Sequence, residues 1–248
     1  MMRVGVDVGG SGTKAALVDV TTGGLVSERV RLETPANFEF DQMVDTVAEV
    51  VRQVGHEGPV GVGFPAVVVR GVVKSPPTAH EFEDWVGRDF GAALSKAIGV
   101  PVTVLNDADA AGLAERSFGA GRERDGVVMV FTLGTGVGSA MFVDGVLVPN
   151  TELGKLYLAN RSEVSENQVA SRVRQEEGLG WSEWGGRLAE YLDHVERLFT
   201  PDLVIVGGGV SRKHQKFLDI VDIDAEVVPA QLRNHAGIVG AAVAASSL

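Results

Sequence analysis

The chain has 248 residues and a mass of 26.1 kDa, which is enough for one large domain or two small ones with a sizeable core. Its content of 45% hydrophobic and 22% charged residues excludes a disordered chain. The absence of cysteine excludes a disulfide scaffold, a thiolate zinc site and a thiol nucleophile. A formal net charge of −11 argues against a nucleic-acid partner. No apolar run is long enough for a membrane span and no signal peptide is expected, so we expect a cytoplasmic protein without a membrane partner.

Apolar periodicity predicts alternating strands and helices along the chain. Apolar residues at helical spacing between positions 43 and 54 indicate an amphipathic helix, whereas short β-branched runs indicate strands. The predicted strands are 3–8, 14–20, 25–32, 60–64, 102–105, 127–133, 138–143 and 203–206. The predicted helices are 40–54, 90–98, 108–118, 165–177, 181–199 and 236–245.

A strand, a glycine-rich turn and a second strand follow one another at 4–20, and a similar unit returns at 127–143. This repeat predicts an α/β fold of two related halves with a cleft between them, in which ligands gather at strand ends. We expect the first domain to cover 1–108 together with a C-terminal helix at about 236–248. The second domain is expected to cover 109–235.

Three glycine-rich loops each follow an apolar strand. Convergent backbone N–H groups in such loops bind phosphate oxygens, and glycine lets the backbone approach them closely. The first loop lacks the lysine spacing of a Walker A loop, and taken alone it could equally be a plain hairpin turn. The three loops together favour a nucleotide- or polyphosphate-binding site. Their candidate residues are Asp7, Gly9, Gly10, Gly12, Thr13 and Lys14, then Thr132, Gly134, Thr135 and Gly136, then Gly207, Gly208 and Gly209.

Asn106, Asp107 and Asp109 lie where a predicted strand gives way to a helix. One aspartate in that place is commonly a helix N-cap, but two acids and an amide are more than a cap requires. The pattern favours Asp107 as a general base that accepts the proton of an attacking hydroxyl, with Asn106 holding a substrate hydroxyl. Asp109 is expected to be structural.

Glu152 lies in a polar loop just after the second predicted hairpin. Its carboxylate could accept two hydrogen bonds from a polyol. Taken alone, the loop is more simply a solvated surface segment, and the neighbouring glycine loops are what favour the polyol interpretation.

In chain order, the motifs DVGGSGTK, LNDADAAG, TLGTGVGSA, PNTELGK, PDLVIVGGGVSRK and NHAGIVGAA resemble the ROK family of sugar kinases. NDADAAGLAE and the PNTE loop occur together in its polyphosphate-dependent glucokinase branch. The resemblance covers about 4–245. It implies an actin-like, hexokinase-type fold of two domains, a homodimer and a requirement for Mg²⁺. The implied activity is transfer of a phosphoryl group from polyphosphate or ATP to the 6-hydroxyl of glucose or a related hexose.

The resemblance also implies roles for single residues. It makes Asp107 the catalytic base, Asn106 a sugar ligand, and Asp7 a candidate ligand of Mg²⁺ through water. Glu152 matches the sugar-binding glutamate of the family's E-x-G-H motif, and Glu166 is the candidate for a second sugar-binding glutamate. The first two glycine loops match phosphate loops, and the third matches the loop that receives the nucleoside of ATP.

The departures from the family pattern lie at the sugar end. Lys155 replaces the histidine of the E-x-G-H motif, and lysine only donates hydrogen bonds whereas neutral histidine also accepts them. Tyr157 stands where the polyphosphate branch has glutamate, and 76–81 replaces a segment with a sugar-binding asparagine before Trp85. Each lost hydrogen bond costs about 0.5–1.5 kcal/mol. The sequence therefore predicts retained kinase chemistry, either on glucose or on a different sugar or polyol.

An acidic chain that uses a polyanionic donor also requires a local group of cations. Basic residues next to the glycine loops or near the chain end are candidates, although most are explained equally well as surface charge. They are Lys14, Arg122, Arg124, Arg212, Lys213, Lys216 and Arg233.

A non-enzymatic sugar sensor is a further alternative, because the resembled family includes repressors. Those repressors carry a DNA-binding region before the first strand. Here the first strand is expected to begin at Arg3, which argues against this alternative.

Overall fold

In the computed structural model of the chain, residues 1–55, 57–77, 83–159 and 161–247 are described. Their strands are β1 (Met2–Gly9), β2 (Gly12–Asp19), β3 (Gly24–Leu25), β4 (Val30–Leu32), β5 (Val60–Phe64), β6 (Val68–Val69), β7 (Val72–Val73), β8 (Val102–Asn106), β9 (Val127–Leu133), β10 (Val137–Val143), β11 (Val146–Val148), β12 (Leu203–Gly207) and β13 (Glu226–Pro229). Their α-helices are α1 (Phe40–Val54), α2 (Phe90–Ile98), α3 (Asp107–Phe118), α4 (Glu166–Val169), α5 (Ser171–Glu176), α6 (Trp181–Phe199) and α7 (Ala236–Ala244). Short 3₁₀ helices lie at Glu83–Trp85, Leu153–Lys155, Gly209–Lys216, Leu218–Ile220, Arg233–His235 and Ala245–Ser247.

The residue contacts divide the chain into two compact units. Unit 1 contains Met1–Ala114 and His235–Leu248, and unit 2 contains Glu115–Asn234. The division between them falls inside α3, so the first turns of that helix belong to unit 1 and its last residues to unit 2.

The two units repeat one sheet topology. In unit 1 the strand order is β3-β2-β1-β5-β8, with β4 also paired to β2, and in unit 2 it is β11-β10-β9-β12-β13. Each sheet contains an antiparallel hairpin, β1–β2 or β9–β10. On its other side, the first strand of the hairpin pairs with a parallel strand, and that strand pairs with a second parallel strand. The predicted repeat and the predicted α/β class are therefore confirmed.

Helix α7 lies directly on the backbone of the unit 1 sheet. A Cβ atom on Gly5 of β1 would lie 1.8 Å from the carbonyl oxygen of Ile238, and one on Gly61 of β5 would lie 1.7 Å from that of Ala241. Only glycine permits so close an approach, because any side chain would overlap the helix backbone. The helix is thereby held against the strands whose ends carry the candidate residues of unit 1.

Each unit also has its own hydrophobic core. Unit 1 buries a cluster of aromatic rings with centroids 4.7 to 5.9 Å apart, formed by Phe38, Phe40, Phe64, Trp85 and Phe90. Unit 2 buries Phe131, Trp184, Tyr191 and Phe217 between its sheet and α6. Aromatic pairs at these separations add to the stabilisation that burial provides.

The predicted strand at 25–32 is wrong, because the chain forms two short strands, β3 and β4, with a break between them. At the break, the backbone N–H of Leu17 in β2 donates to the side-chain oxygen of Ser27 at 3.0 Å, where a continuous strand would supply a carbonyl. The serine hydroxyl thus competes with the sheet hydrogen bonds, as short polar side chains commonly do.

The single helix predicted at 165–177 is also wrong, because α4 and α5 are separated by Ala170, whose backbone is extended (φ −57°, ψ 147°). Two contacts replace the helical hydrogen bonds there. The Trp184 indole N–H donates to the carbonyl of Val169 at 3.2 Å, and the N–H of Arg172 donates to the carbonyl of Gly134 at 3.1 Å. Tertiary partners therefore override the helical pattern.

The other predicted elements are present, with ends that differ by at most two residues. The short strands β6, β7, β11 and β13 were not predicted. Within the described residues, no helix has both the length and the apolar character needed to cross a bilayer.

Candidate functional site

One edge of the unit 1 sheet collects the candidate acids of that unit. Strands β1, β5 and β8 are parallel, with Asp7 opposite Gly63 and Phe64 opposite Asn106. Their carboxyl ends therefore meet at the same edge. Gly63 is in turn opposite Leu105, so Asp107 follows two residues after the β8 position that is level with Asp7.

Asp7 and Lys14 form an ion pair across the first hairpin. They are opposite each other in the β1–β2 register, and the Lys14 Nζ atom lies 3.5 Å from Oδ2 of Asp7. The register ends at Gly9 and Gly12, so the turn begins at Gly10, which is exposed. The hairpin thus presents a carboxylate, an ammonium group and accessible backbone next to one another.

The turn is anchored by side chains behind it. The Thr34 hydroxyl donates to the carbonyl of Gly9 at 2.6 Å and lies 3.3 Å from the hydroxyl of the fully buried Thr13. The Arg31 guanidinium donates to the carbonyl of Ser11 at 2.8 Å. The side chain of Thr13 therefore supports the loop from within and is not displayed on its surface.

Asn106 is the N-cap of α3. Its buried side-chain oxygen accepts the backbone N–H groups of Ala108 at 2.8 Å and Asp109 at 3.2 Å, which are otherwise unsatisfied at a helix start. Its amide nitrogen donates to the carbonyl of Ala66 at 3.2 Å. The capping role that the sequence offered to an aspartate is thus performed by the asparagine, and it ties the start of α3 to the loop after β5.

Asp107 is the first residue of α3 and is half-buried at the sheet edge. Its Oδ1 atom accepts the N–H of Ala108 at 2.9 Å, and the side chain lies at the positive end of the helix dipole. The start of α3 packs over Gly63 on the neighbouring strand, where a Cβ would lie 3.3 Å from the Ala110 Cβ atom and 3.7 Å from the Asp107 Cα atom. Asp109 is 1% exposed, so it lies in the interior.

In unit 2 the second and third glycine loops lie side by side. Thr132 at the end of β9 is opposite Gly207 at the end of β12. Gly208 has a φ of +82°, and a Cβ on it would lie 2.3 Å from the carbonyl oxygen of Leu133. Glycine is required there for both reasons. Gly208 and Gly209 are exposed, so their backbones are accessible to a ligand, whereas Gly207 is buried.

Arg172 holds the second loop, and the sequence analysis did not identify it. Its backbone N–H donates to Gly134 at 3.1 Å and its Nε–H to the carbonyl of Thr135 at 3.0 Å. Within the loop, the N–H of Gly134 donates to Gly136 at 3.0 Å. No local pattern signals this role, because Arg172 is 37 residues from Thr135 in the chain.

Glu152, Lys155 and Glu166 come together in unit 2. Lys155 forms a close ion pair with Glu166, whose side chain is only 14% exposed, while that of Lys155 is 52% exposed. The loop that carries Glu152 is fixed to β10, because the N–H of Leu153 donates to the buried Ser139 hydroxyl at 3.0 Å. The two glutamates that the family resemblance selected thus share one locality with the lysine that departs from the family.

The charge of Glu152 depends on this locality. Desolvation by neighbouring atoms raises the pKa of the Glu152 carboxyl above its ordinary value. The Lys155 ammonium lowers that pKa and the Glu166 carboxylate raises it further, and both effects are smaller than desolvation. Glu152 is therefore easier to protonate than a free glutamate.

The other departures from the family pattern are Tyr157 and the segment 76–81. Tyr157 is 62% exposed and pairs with Val164 in an isolated bridge. Within 76–81, Pro77 is buried, and 78–81 lie outside the described residues. Trp85 is fully buried and donates its indole N–H to the carbonyl of Phe38 at 2.8 Å.

Glu115 is a second residue that the sequence analysis missed. It is 1% exposed, and its carboxylate accepts backbone N–H groups from Ala120 at 3.0 Å, Gln231 at 3.1 Å and Leu232 at 2.7 Å. A buried carboxylate needs such donors to offset its desolvation. Glu115 therefore fixes the segment that leads from β13 towards α7.

Within the described ranges, no three His, Cys, Asp or Glu side chains are grouped so that they could hold a metal ion.

Known proteins are similar to this chain over almost its whole length. The model of the ROK family matches residues 3–152. The polyphosphate glucokinase of Mycobacterium tuberculosis is 42% identical over 241 residues, which are 97% of this chain and 89% of that protein. The inorganic polyphosphate/ATP-glucomannokinase of Arthrobacter sp. strain KM is 42% identical with a TM-score of 0.92, covering 99% of this chain and 98% of that one.

A ROK family glucokinase of Streptomyces griseus, solved with glucose and AMPPNP, is 26% identical with a TM-score of 0.85, and each chain is covered completely. The fold expected from the motifs, that of the hexokinase-type sugar kinases with an actin-like architecture, is thereby confirmed. The motif resemblance, the repeated sheets and the match to the family model agree, and the chain belongs to the ROK family.

Proposed function

We propose that this chain is a sugar kinase that transfers a phosphoryl group from polyphosphate or ATP to the 6-hydroxyl of glucose or a related hexose. The observation that carries the proposal is the sheet edge of unit 1. There β1 ends in a glycine hairpin with the Asp7–Lys14 pair, and β8, which is parallel to β1 with β5 between them, ends in a carboxylate at a helix start. Phosphoryl transfer needs that combination of a phosphate cradle and a positioned base. The donors and the acceptor follow those named for its relatives.

In this proposal Asp107 accepts the proton of the attacking hydroxyl. Its position at the start of α3 places it at the positive end of the helix dipole, and the Asn106 cap hydrogen-bonds that start. Asn106 remains a proposed sugar ligand only through the part of its amide group that the cap does not use. The backbone N–H groups of the first two glycine loops hold donor phosphates, and the third loop receives the nucleoside when ATP is the donor.

Glu152 and Glu166 are the proposed acceptors of sugar hydroxyl hydrogen bonds, with Lys155 as a donor. The ion pair with Lys155 occupies part of the Glu166 carboxylate, so fewer lone pairs remain for a sugar. This observation favours a second candidate function, the same chemistry on a different sugar or polyol. The two candidates differ in the acceptor and share the reaction.

Mg²⁺ is part of the proposal, and the residues fit it. The Asp7 carboxylate is 25% exposed at the strand end beside the glycine turn. Mg²⁺ usually keeps several waters and binds through one or two carboxylates plus substrate phosphates, so Asp7 would hold it through water. When bound, it neutralises charge on the donor phosphates. A homodimer is also proposed from the family resemblance, and sedimentation analysis would test it.

A screen of donors against acceptors tests the proposed function. ATP and polyphosphate would each be paired with glucose, mannose, glucosamine and sorbitol, and phosphorylated products would be measured by mass spectrometry. Formation of glucose phosphate with either donor supports the proposal. Phosphorylation of another acceptor, but not of glucose, supports the second candidate. A folded protein that phosphorylates no acceptor contradicts both, and the variant Asp107→Asn serves as the blank.

A further inference from the structure

A groove of about 530 Å³ lies in unit 2, beside the third glycine loop. Its wall includes two arginines, Arg124 and Arg233, together with His214 and Ser211. Both arginines are among the basic candidates from the sequence. Several of the others are engaged elsewhere, since Arg122 pairs with Glu123 at 3.2 Å and two lysines lie over the Trp181 ring. Folding therefore selects two of the seven cations and places them in one groove.

The groove adjoins the row of strand ends that the glycine loops begin, and it runs along β13 to Glu226, the first residue of that strand. Strands β9, β12 and β13 are parallel, with Thr132 opposite Gly207 and Val206 opposite Pro229. The groove wall at Ala230 is in direct reach of the third loop, because a Cβ on Gly207 would lie 3.4 Å from the Ala230 Cβ atom. At about 4.8 Å per strand, the end of β13 is about 10 Å from the end of β9. An extended chain of phosphates lying along these loops would reach the groove.

The charges of the groove suit an anion. Its acid, Glu226, forms a close ion pair with Arg124, whereas no acidic side chain in the described part of the chain pairs with Arg233, which is exposed. His214 is fixed by a hydrogen bond of 3.0 Å between its Nδ1 atom and the carbonyl of Ser211, and the Ser211 hydroxyl donates to Gly208 at 2.9 Å. A guanidinium group without an acidic partner is well suited to phosphate oxygens.

The backbone of the groove wall is held in place. The buried Glu115 carboxylate accepts the N–H groups of Gln231 and Leu232, which immediately precede Arg233. No phenylalanine, tyrosine or tryptophan is among the described residues that line the groove, so a nucleobase finds no such ring on which to stack. The wall thus offers cationic side chains on an anchored backbone and, among its described residues, no phenylalanine, tyrosine or tryptophan ring for a base.

We propose that this groove binds the internal phosphates of a polyphosphate donor, with Arg233 and Arg124 as their cationic partners. The groove is then a distal subsite for the part of the donor chain that is not transferred. The proposal rests on the proposed function, because it takes polyphosphate as a phosphoryl donor.

The test compares Arg233→Gln with Arg197→Gln, which removes the same charge from an exposed arginine on α6 that pairs with Asp193 at 3.0 Å. Glucose phosphorylation would be measured with long-chain polyphosphate and with ATP. Loss of one charge-assisted contact should raise the KM for polyphosphate about tenfold in Arg233→Gln and leave the KM for ATP within about twofold. Arg197→Gln should change neither. Glu226→Gln removes the groove's acid and should lower the KM for polyphosphate.

Equal changes with both donors in Arg233→Gln, or equal changes in both arginine variants, would overturn the groove as a polyphosphate subsite. A change in the KM for ATP alone would make the groove a nucleotide pocket and would also overturn the proposal. Equilibrium dialysis of polyphosphate with the wild-type chain separates failure of the groove proposal from failure of the proposed function. If polyphosphate binds and is used but Arg233→Gln has no effect, only the groove fails. If glucose is phosphorylated by ATP and polyphosphate neither binds nor reacts, the donor assignment fails as well.

Discussion

Gly237, the second residue of α7, lies against the carboxylate of Asp7. A Cβ atom on Gly237 would be 2.9 Å from both Cγ and Oδ1 of Asp7, closer than a carbon normally approaches these atoms. The hydrogen in place of a side chain therefore sets where the Asp7 carboxylate can lie. This contact links a motif near the end of the chain to the first glycine loop at its start.

The variant Gly237→Ala should therefore displace Asp7. Because small displacements of binding groups are costly for catalysis, we expect turnover to fall roughly 10- to 100-fold. The free energy of unfolding should fall by only about 1 kcal/mol, since an aspartate at the sheet edge can move aside. Steady-state kinetics and urea unfolding check the two effects. Wild-type turnover in a variant with normal stability would show that Asp7 does not need its present position.

The variant Gly240→Ala should damage the fold itself. A Cβ there would lie 1.6 Å from the carbonyl oxygen of Ala110, so α7 and α3 could not keep their present contact. We expect a loss of about 3 kcal/mol or more in the free energy of unfolding. The matched control is Gly186→Ala, because Gly186 is exposed in α6 with no atom within 4 Å of the added carbon. Because alanine has a higher helix propensity than glycine, this control should raise the free energy of unfolding by roughly 0.5–1 kcal/mol. Similar effects of both changes on urea unfolding would contradict the packing argument.

The variant Asp107→Asn should abolish most of the activity and preserve the fold. Removal of a general base lowers turnover by roughly 10²–10⁴-fold. The asparagine keeps the size of the side chain, and removal of the negative charge from the helix start should cost about 0.3–1 kcal/mol. Single-turnover kinetics together with thermal unfolding would separate the two effects. Near-normal turnover would remove Asp107 as the base.

Glucose binding should weaken as the solution becomes more acidic. The folded-state pKa of Glu152 is raised, so protonation at falling pH removes its acceptor capacity earlier than for a free glutamate. The variant Glu152→Gln should have a higher KM for glucose at neutral pH and should lose the part of the acid dependence that Glu152 supplies. Measurement of KM from pH 4.5 upwards checks this. An unchanged pH profile in the variant would contradict the role of Glu152.

The same raised pKa has a consequence for stability with the opposite sign. A carboxyl whose folded-state pKa is raised contributes stability below its unfolded-state pKa, and this contribution is lost as the pH rises through the folded-state value. At neutral pH the ionised Glu152 carboxylate therefore lowers the free energy of unfolding. Glu152→Gln should leave the free energy of unfolding at neutral pH unchanged or higher, and this advantage should disappear in acid.

The variant Lys155→His should improve glucose binding. It frees the Glu166 carboxylate from its close ion pair and introduces a group that can both donate and accept. One recovered hydrogen bond corresponds to about a 2–10-fold lower KM for glucose. Turnover should change little, because the proposed role of the lysine is in acceptor binding and not in proton transfer. A higher KM for glucose with a lower KM for another acceptor would instead support the second candidate function.

The local pattern of the sequence was sufficient for most of the fold. Strand and helix periods are set by which side of each element is buried, so α1, α2 and α6 were predicted with their observed ends. The repeated strand–glycine–strand unit was sufficient to predict two sheets of one topology. The candidate carboxylates and glycine loops were also visible, because their chemistry depends on residue type and on position after a strand.

Contacts between distant segments decided the rest. The break at Ala170 follows from partners at Trp184 and Gly134 that no local pattern contains. The support of the second loop by Arg172, the pairing of Lys155 with Glu166 and the selection of Arg124 and Arg233 for one groove have the same origin. The sequence by itself determined the family, the element order and the chemical groups available. Only the tertiary structure decided which groups meet, because hydrogen bonds and ion pairs act over a few ångströms in space whatever the separation along the chain.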